Sequence, residues 1–329
     1  MTSDDGARQV GVKRRALMAV RKIGGEQKTI ERAARSIRNA ARFRAGLPIR
    51  RRDMYAIRKG SGRRFGIYGM GGCDVTAIVG AGPELASHMD GPFCIGSFGA
   101  ADRTRSDILL QTLNPPDSMA TEDVSERLGL DGRYFAPTLF EPTFRVPYQS
   151  GIGEFPKNVI VLSTSADSSR TLYRHRELGY LVDPGGWWLV TDMSDVLGDM
   201  STVKWFAANF EKAKRIEVAE SMGNFARIIS ELRSRMGAFV VLLNVLTVDP
   251  GSSSLDYNHA NSPNRVRRRE FGIATSELAS KMSVPLLDVD RLTKQMGISG
   301  QADFVHYTPE QKELIASEFA GLLIDADVI

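Results

Sequence analysis

Cysteine and histidine are scarce in this chain: 329 residues hold 2 cysteines, Cys73 and Cys94, and 4 histidines. Two thiols build no disulfide framework, and no Cys/His cluster has zinc-ligand spacing. There is no Walker A loop, EF-hand loop or GxSxG elbow, which removes the simplest signatures of nucleotide, calcium and α/β-hydrolase chemistry. No apolar run reaches the roughly 20 residues of a membrane-spanning helix. The N-terminus lacks the apolar stretch of a secretory signal, so a cytoplasmic protein is expected. No internal repeat or low-complexity tract is visible. What remains is an ordinary globular composition, 42% hydrophobic and 25% charged, long enough for a large core in one domain with an extension.

Charge is the first uneven feature. Residues 1–64 carry 19 Lys+Arg against 5 Asp+Glu, a balance of +14, while the rest carries 24 against 34, a balance of −10. A basic arm on an acidic body is expected to attract a polyanion: anionic lipid, nucleic acid or an acidic glycan. The plainer alternative is a solvated helical extension. Residues 1–11 read as disordered, and 12–23 and 27–45 as helical. In the second helix Ile30, Ala33, Ala34, Ile37 and Ala41 share one face, with Arg32, Arg35, Arg38 and Arg42 around the rest. That small face can lie on a membrane, pack on the body or pair with a second copy. Aromatic interleaving of the kind that binds single-stranded nucleic acid is missing. The arm thus offers a route to the inner-membrane surface.

From about residue 60 apolar runs alternate with helical stretches. The runs are Arg64–Tyr68, Pro92–Gly96, Trp187–Thr191, Ala238–Val245 and Val284–Asp288, and the helices fall at 74–88, 102–112, 201–235, 264–282 and 308–324. This alternation predicts an α/β fold: a three-layer sandwich with a central, mostly parallel five-stranded sheet and helices on both faces. The domain reading is a basic helical extension over 1–60 and an α/β domain over 61–329. Residues 113–180 interrupt the alternation, and their apolar run Asn158–Leu162 is assigned to an insertion that covers or shapes the site.

In open parallel sheets ligands bind beyond the C-terminal strand ends, so those residues are the candidates. Gly69-Met70-Gly71-Gly72-Cys73-Asp74 follows the first strand. Its glycines allow a sharp turn, and Cys73 near a helix start would favour the thiolate. A GxGxxG loop is not met. Ser97 and Gly99 follow the second strand, as a hydroxyl nucleophile or donor and an oxyanion amide, and Asp192 and Ser194 follow the third. Asn244 ends the fourth. Before the last helix stands Asp303-Phe304-Val305-His306, an acid within reach of a base, while Thr308, Pro309 and Glu310 read as a helix start.

Taken in order, a glycine turn after strand one, glycine after strand two, a polar cluster after strand three and Asp-x-x-His before the last helix resemble the SGNH (GDSL-like) hydrolase superfamily. The branch with Gly-Ser-Cys or Gly-Asn-Cys after the first strand, met with bacterial surface-polysaccharide biosynthesis, is the nearest pattern. The resemblance spans residues 63–324. It implies an SGNH-like fold and an ester hydrolase or acetyltransferase acting on a carbohydrate. His306 would be general base and Asp303 its orienting acid. Cys73 or Ser97 would be nucleophile. Gly72, Gly99, Arg103, Asp192, Ser194 and Asn244 would bind oxyanion or substrate. No cofactor is required, and acetyl-CoA would serve a transferase. Gly72 stands where the motif has serine, and Asp192-Met193-Ser194-Asp195 lacks the asparagine of the third block. These departures keep open a non-catalytic glycan- or nucleotide-binding module, and the basic arm keeps open a polyanion-binding protein acting through residues 1–64.

Overall fold

A computed structural model describes residues 54–57, 64–72, 74–81, 105–130, 132–145, 154–184, 193–247, 262–296 and 306–329. The helical arm over 12–45, the apolar runs 92–96 and 187–191, and Cys73, Ser97, Gly99, Arg103, Asp192 and Asp303 lie outside the described residues.

The elements run β1 (Met54–Ile57), β2 (Arg64–Met70), a 3-10 helix (Asp74–Ala81), α1 (Ser106–Gln111), α2 (Ser118–Leu128), β3 (Thr143–Arg145), β4 (Glu154–Ser163) and α3 (Ser165–Ser169). Then come β5 (Tyr173–His175), β6 (Leu181–Val182), α4 (Ser194–Leu197), α5 (Met200–Asn209), β7 (Phe210–Lys212), α6 (Val218–Met236) and β8 (Phe239–Leu243). The last elements are α7 (Ser262–Met282), β9 (Leu286–Leu287), α8 (Val289–Met296) and α9 (Pro309–Asp325).

The main sheet has the order β1-β2-β4-β8-β9, with β3 paired to β4. Strands β2, β4, β8 and β9 are parallel; β1 and β3 join antiparallel. Among the described residues the main sheet thus has four parallel strands, with β1 antiparallel at one edge and β3 antiparallel on the first residues of β4; two of the five expected runs, 92–96 and 187–191, lie outside the described residues. A separate antiparallel sheet has the order β6-β5-β7.

The layers follow from strand alternation. Ile67, Val159, Val161, Val241 and Leu243 face one way, packing with Ile315, Phe319 and Leu323 of α9. Tyr68, Met70, Ile160, Leu162, Val240 and Leu242 face the other, against Phe225, Ile228 and Leu232 of α6 and Leu278 of α7. Because both faces are covered, the strands read as continuous apolar runs. Burying each such side chain contributes about 1.5–3 kcal/mol.

Two expectations need correcting. The run 158–162 is not a strand within an insertion. It belongs to β4, the middle of the sheet, paired in parallel with β2 on one side and β8 on the other. Its uninterrupted apolar character is that of a strand buried on both faces. Nor is 201–235 one helix. The chain leaves α5 at Asn209, and β7 pairs antiparallel with β5. Phe210 stacks on Phe206, ring centroids 4.8 Å apart, and packs against His175 and Tyr180. This packing outweighs helix propensity, which is worth tenths of a kcal/mol per residue. α6 then ends as helices often do, with Gly237 left-handed at φ 58°.

The last helix starts as its sequence predicts. Thr308 accepts a hydrogen bond from the Gln311 amide, Pro309 follows, and Glu310 lies in the first turn. Among the described residues no helix is long and apolar enough to cross a membrane.

Candidate functional site

The C-terminal ends of β2, β4, β8 and β9 lie along one edge of the sheet, and polar residues follow each. After β2 comes the glycine turn. A Cβ on Gly71 would lie 2.3 Å from Val75 Cγ2 and 2.6 Å from Ser163 Cβ, so only glycine lets the turn pass this close to β4. Gly72 is less confined: the atoms nearest its Cβ position are Asp74 Oδ1 at 3.2 Å and Ser165 Oγ at 3.7 Å.

Asp74 opens the 3-10 helix. Its Oδ2 accepts a short hydrogen bond from the Ser163 hydroxyl at the end of β4. Ser163 Oγ also lies 3.0 Å from Ser165 Oγ and accepts from the Ser165 amide at 3.1 Å. Asp74 Oδ1 is buried and has no hydrogen-bond partner among the described residues. The edge therefore presents a carboxylate oxygen and a set of small hydroxyls beside the glycine turn.

Tyr307 reaches the same place from the other end of the chain. It is 3% exposed and packs in one cluster with Val75, Ile78 and the core side of α9. Its hydroxyl is buried with no hydrogen-bond partner among the described residues. Burial first, and then the charge of Asp74, push the Tyr307 hydroxyl well above the usual tyrosine range. Arg268 of α7 acts on it in the opposite direction. The backbone of His306 is one peptide away, about 3.8 Å between Cα atoms. His306 itself is exposed. The 3-10 helix and α9 pack directly on each other, so the fold holds the His306 segment beside the turn that follows β2.

The other predicted positions divide. Asn244 follows β8, and its side-chain amide donates to Asp288 Oδ1 at 2.7 Å. That same oxygen accepts from the Arg291 amide at 2.9 Å, so Asp288 starts α8 and Asn244 clamps it. Asp290 accepts from the amide and hydroxyl of Thr247, at 2.8 and 2.6 Å. Ser194 opens the one-turn helix α4, and Met193 just before it and Leu197 at its end pack into the cluster beneath the small sheet. Its neighbours thus tie it to the small sheet.

Sequence reasoning did not single out Asp74, Ser163, Ser165 or Tyr307. Asp74 and Tyr307 adjoin the candidates Cys73 and His306. Ser163 and Ser165 carry no such signal, because they follow the run 158–162, which the broken alternation of 113–180 places in an insertion rather than at a strand end of the main sheet. A further polar centre was also missed. Asp167 in α3 is 1% exposed. It accepts from the Ser106 amide at 2.7 Å, the Ser106 hydroxyl at 2.5 Å and the Ser221 hydroxyl at 2.6 Å. It thereby joins α1, α3 and α6. Burial first, and the neighbouring Asp107 charge second, push its carboxyl up to about 6. Among the described residues no group of three or more His, Cys, Asp or Glu is placed to hold a metal.

No family model matches the chain, and no curated protein matches it. Several solved structures do. A lipase/acylhydrolase from Enterococcus faecalis is 13% identical, with 79% of this chain and 95% of that one covered at a TM-score of 0.41. An acetyl xylan esterase, AlAXEase, is 13% identical over 78% of this chain and 98% of its own, TM-score 0.39. An acetylxylan esterase from Geobacillus stearothermophilus, solved as a catalytic mutant, is 11% identical over 79% and 92%, TM-score 0.39. At such scores the likeness carries neither substrate nor mechanism to this chain.

Proposed function

We propose that this chain is an SGNH-like enzyme of ester chemistry, cleaving or transferring an acyl group on a carbohydrate. The observation that supports it is the packing of the His306–Tyr307 segment against the 3-10 helix, with Tyr307 and Asp74 buried beside the glycine turn after β2. The segment that carries His306 and the 3-10 helix that follows the glycine turn thus come together, near the strand ends where α/β folds bind ligands.

In this reading His306 takes the proton from the attacking group, Cys73 Sγ or a water, as it adds to the ester carbonyl. The Gly72 amide donates to the oxyanion, a contact typically worth about 3 kcal/mol. Collapse expels the sugar alkoxide, which receives the proton from His306. With Cys73 as nucleophile, an acyl-thioester remains, and water or an acceptor hydroxyl releases it.

A second reading has its own observation. Gly72 places no hydroxyl in the turn, and one Asp74 oxygen is engaged by Ser163. A binding module on a decayed site would look the same. Hydrolysis of 4-nitrophenyl acetate separates the two. The enzyme reading expects turnover that His306→Ala abolishes while the melting temperature stays unchanged. No turnover in the parent chain favours the binding module, and turnover that survives His306→Ala refutes the role given to His306.

A further inference from the structure

The groove between α7 and α8 has no part in the acyl transfer above. It encloses about 680 Å³ and starts at the residues following β8 and β9, among them Asn244 and Asp288. From α7 it takes Arg269, Gly272, Ile273 and Ser276. Their spacing puts all four on one face of the helix.

The groove's polar groups are not equally available. Asn244 and Thr247 are engaged by Asp288 and Asp290, and Lys294 by Asp290. Arg291 pairs with Glu318. Arg269, by contrast, is exposed and makes no hydrogen bond or ion pair among the described residues. One helical turn further along α7, Ile273 is 63% exposed, a large apolar side chain on the groove wall. Between them, Gly272 leaves open space: its Cβ position meets only Val245 O, at 3.9 Å. A guanidinium free to fork onto a carboxylate, an apolar surface and a gap without a side chain fit one chemical class, a sugar ring bearing a carboxylate.

We infer that this groove binds an acidic sugar residue of the glycan, its carboxylate on Arg269 and the apolar face of its ring on Ile273. The inference rests on the carbohydrate reading above and extends it to uronate-containing chains. β8 and β9 lie two and three strands across from β2, roughly 10–15 Å at the usual strand spacing. An oligosaccharide seated in the groove can therefore reach the glycine turn.

Isothermal titration calorimetry of the full chain with trigalacturonate, and with neutral xylotriose, tests it. Trigalacturonate should bind saturably and at least about tenfold more tightly than xylotriose. Arg269→Ala should weaken it about 10- to 100-fold, the range for one charge-assisted hydrogen bond. Gly272→Leu fills the gap without changing charge and should weaken it too. No binding of trigalacturonate, equal affinity for both sugars, or unchanged affinity in both variants overturns the inference. Hydrolysis of 4-nitrophenyl acetate by the parent chain reports on the enzyme proposal separately. Sugar binding without hydrolysis sinks only the enzyme reading, and hydrolysis without sugar binding sinks only this one.

Discussion

Replacing Asp167 with asparagine should flatten part of the protein's pH–stability profile. In the folded chain this carboxyl is fully buried, and its pKa rises from 3.8 to about 6. Burial raises it most and Asp107 adds to the rise; hydrogen bonds from Ser106 and Ser221 pull the other way without prevailing. The sign follows from proton counting. Between the unfolded and folded pKa values, the folded chain keeps a proton that the unfolded chain has released. Stability therefore falls as pH rises through that window and levels off above it. The stabilising contribution is complete below the unfolded value. At about 1.36 kcal/mol per unit, a rise of about two units costs about 3 kcal/mol between pH 4 and pH 6. Urea unfolding of the parent and Asp167→Asn in small pH steps from about 4 to 7.5 measures it. Asparagine has its own cost, because its amide donates where the carboxylate accepts three hydrogen bonds, but that cost does not vary with pH. The diagnostic quantity is the difference between the two proteins. It should change by about 3 kcal/mol across the window, the parent losing stability relative to the variant as pH rises. A difference that stays constant from pH 4 to pH 7 would refute the reasoning, as would one of opposite slope.

Gly71→Ala should lower stability by about 1–3 kcal/mol, the usual cost of overpacking, because the new methyl meets Val75 and Ser163 at 2.3 and 2.6 Å; an unchanged urea midpoint would contradict this. Gly72→Ser, whose Cβ meets nothing nearer than 3.2 Å, should fold normally. In the ester assay it should raise turnover if a hydroxyl there can be activated by His306, and turnover equal to the parent's would count against that role. Arg170→Ala removes the forked hydrogen bonds, at 2.8 and 2.7 Å, that Arg170 donates to the buried Asp183 carboxylate. Removing one partner of such a pair costs about 3–5 kcal/mol, read as a lowered unfolding midpoint, and a negligible shift would mean that the pair is dispensable. His306→Ala should leave the melting curve in place, since the side chain is exposed, and remove ester turnover.

Some of this architecture was legible one residue at a time. The start of α9 was readable because capping is local: Thr308, Pro309 and Glu310 satisfy the first turn whatever lies nearby. The runs that became β2 and β8 stood out because strands buried on both faces need unbroken apolar residues. The same signal was present at 158–162. The surrounding residues do not alternate with helices, though, and no local rule says that a strand belongs to the middle of a sheet. The break after Asn209 was equally hidden. Phe210 leaves the helix for contacts with His175 and Tyr180, some 30 positions earlier.

The sequence by itself determined the helix starts, the two-sided character of the strands and the glycine turn with an imidazole near the far end, because each depends on neighbours within a few residues. Only the tertiary structure decided the strand order and the polar company of the turn: Ser163 on Asp74, Tyr307 buried beside that carboxylate, and Asp167 joined to Ser106 and Ser221. Those partners stand 54 to 233 positions apart in the chain. Burial raises the worth of such polar contacts, yet it exists only once the sheet and its two helical layers have closed around them.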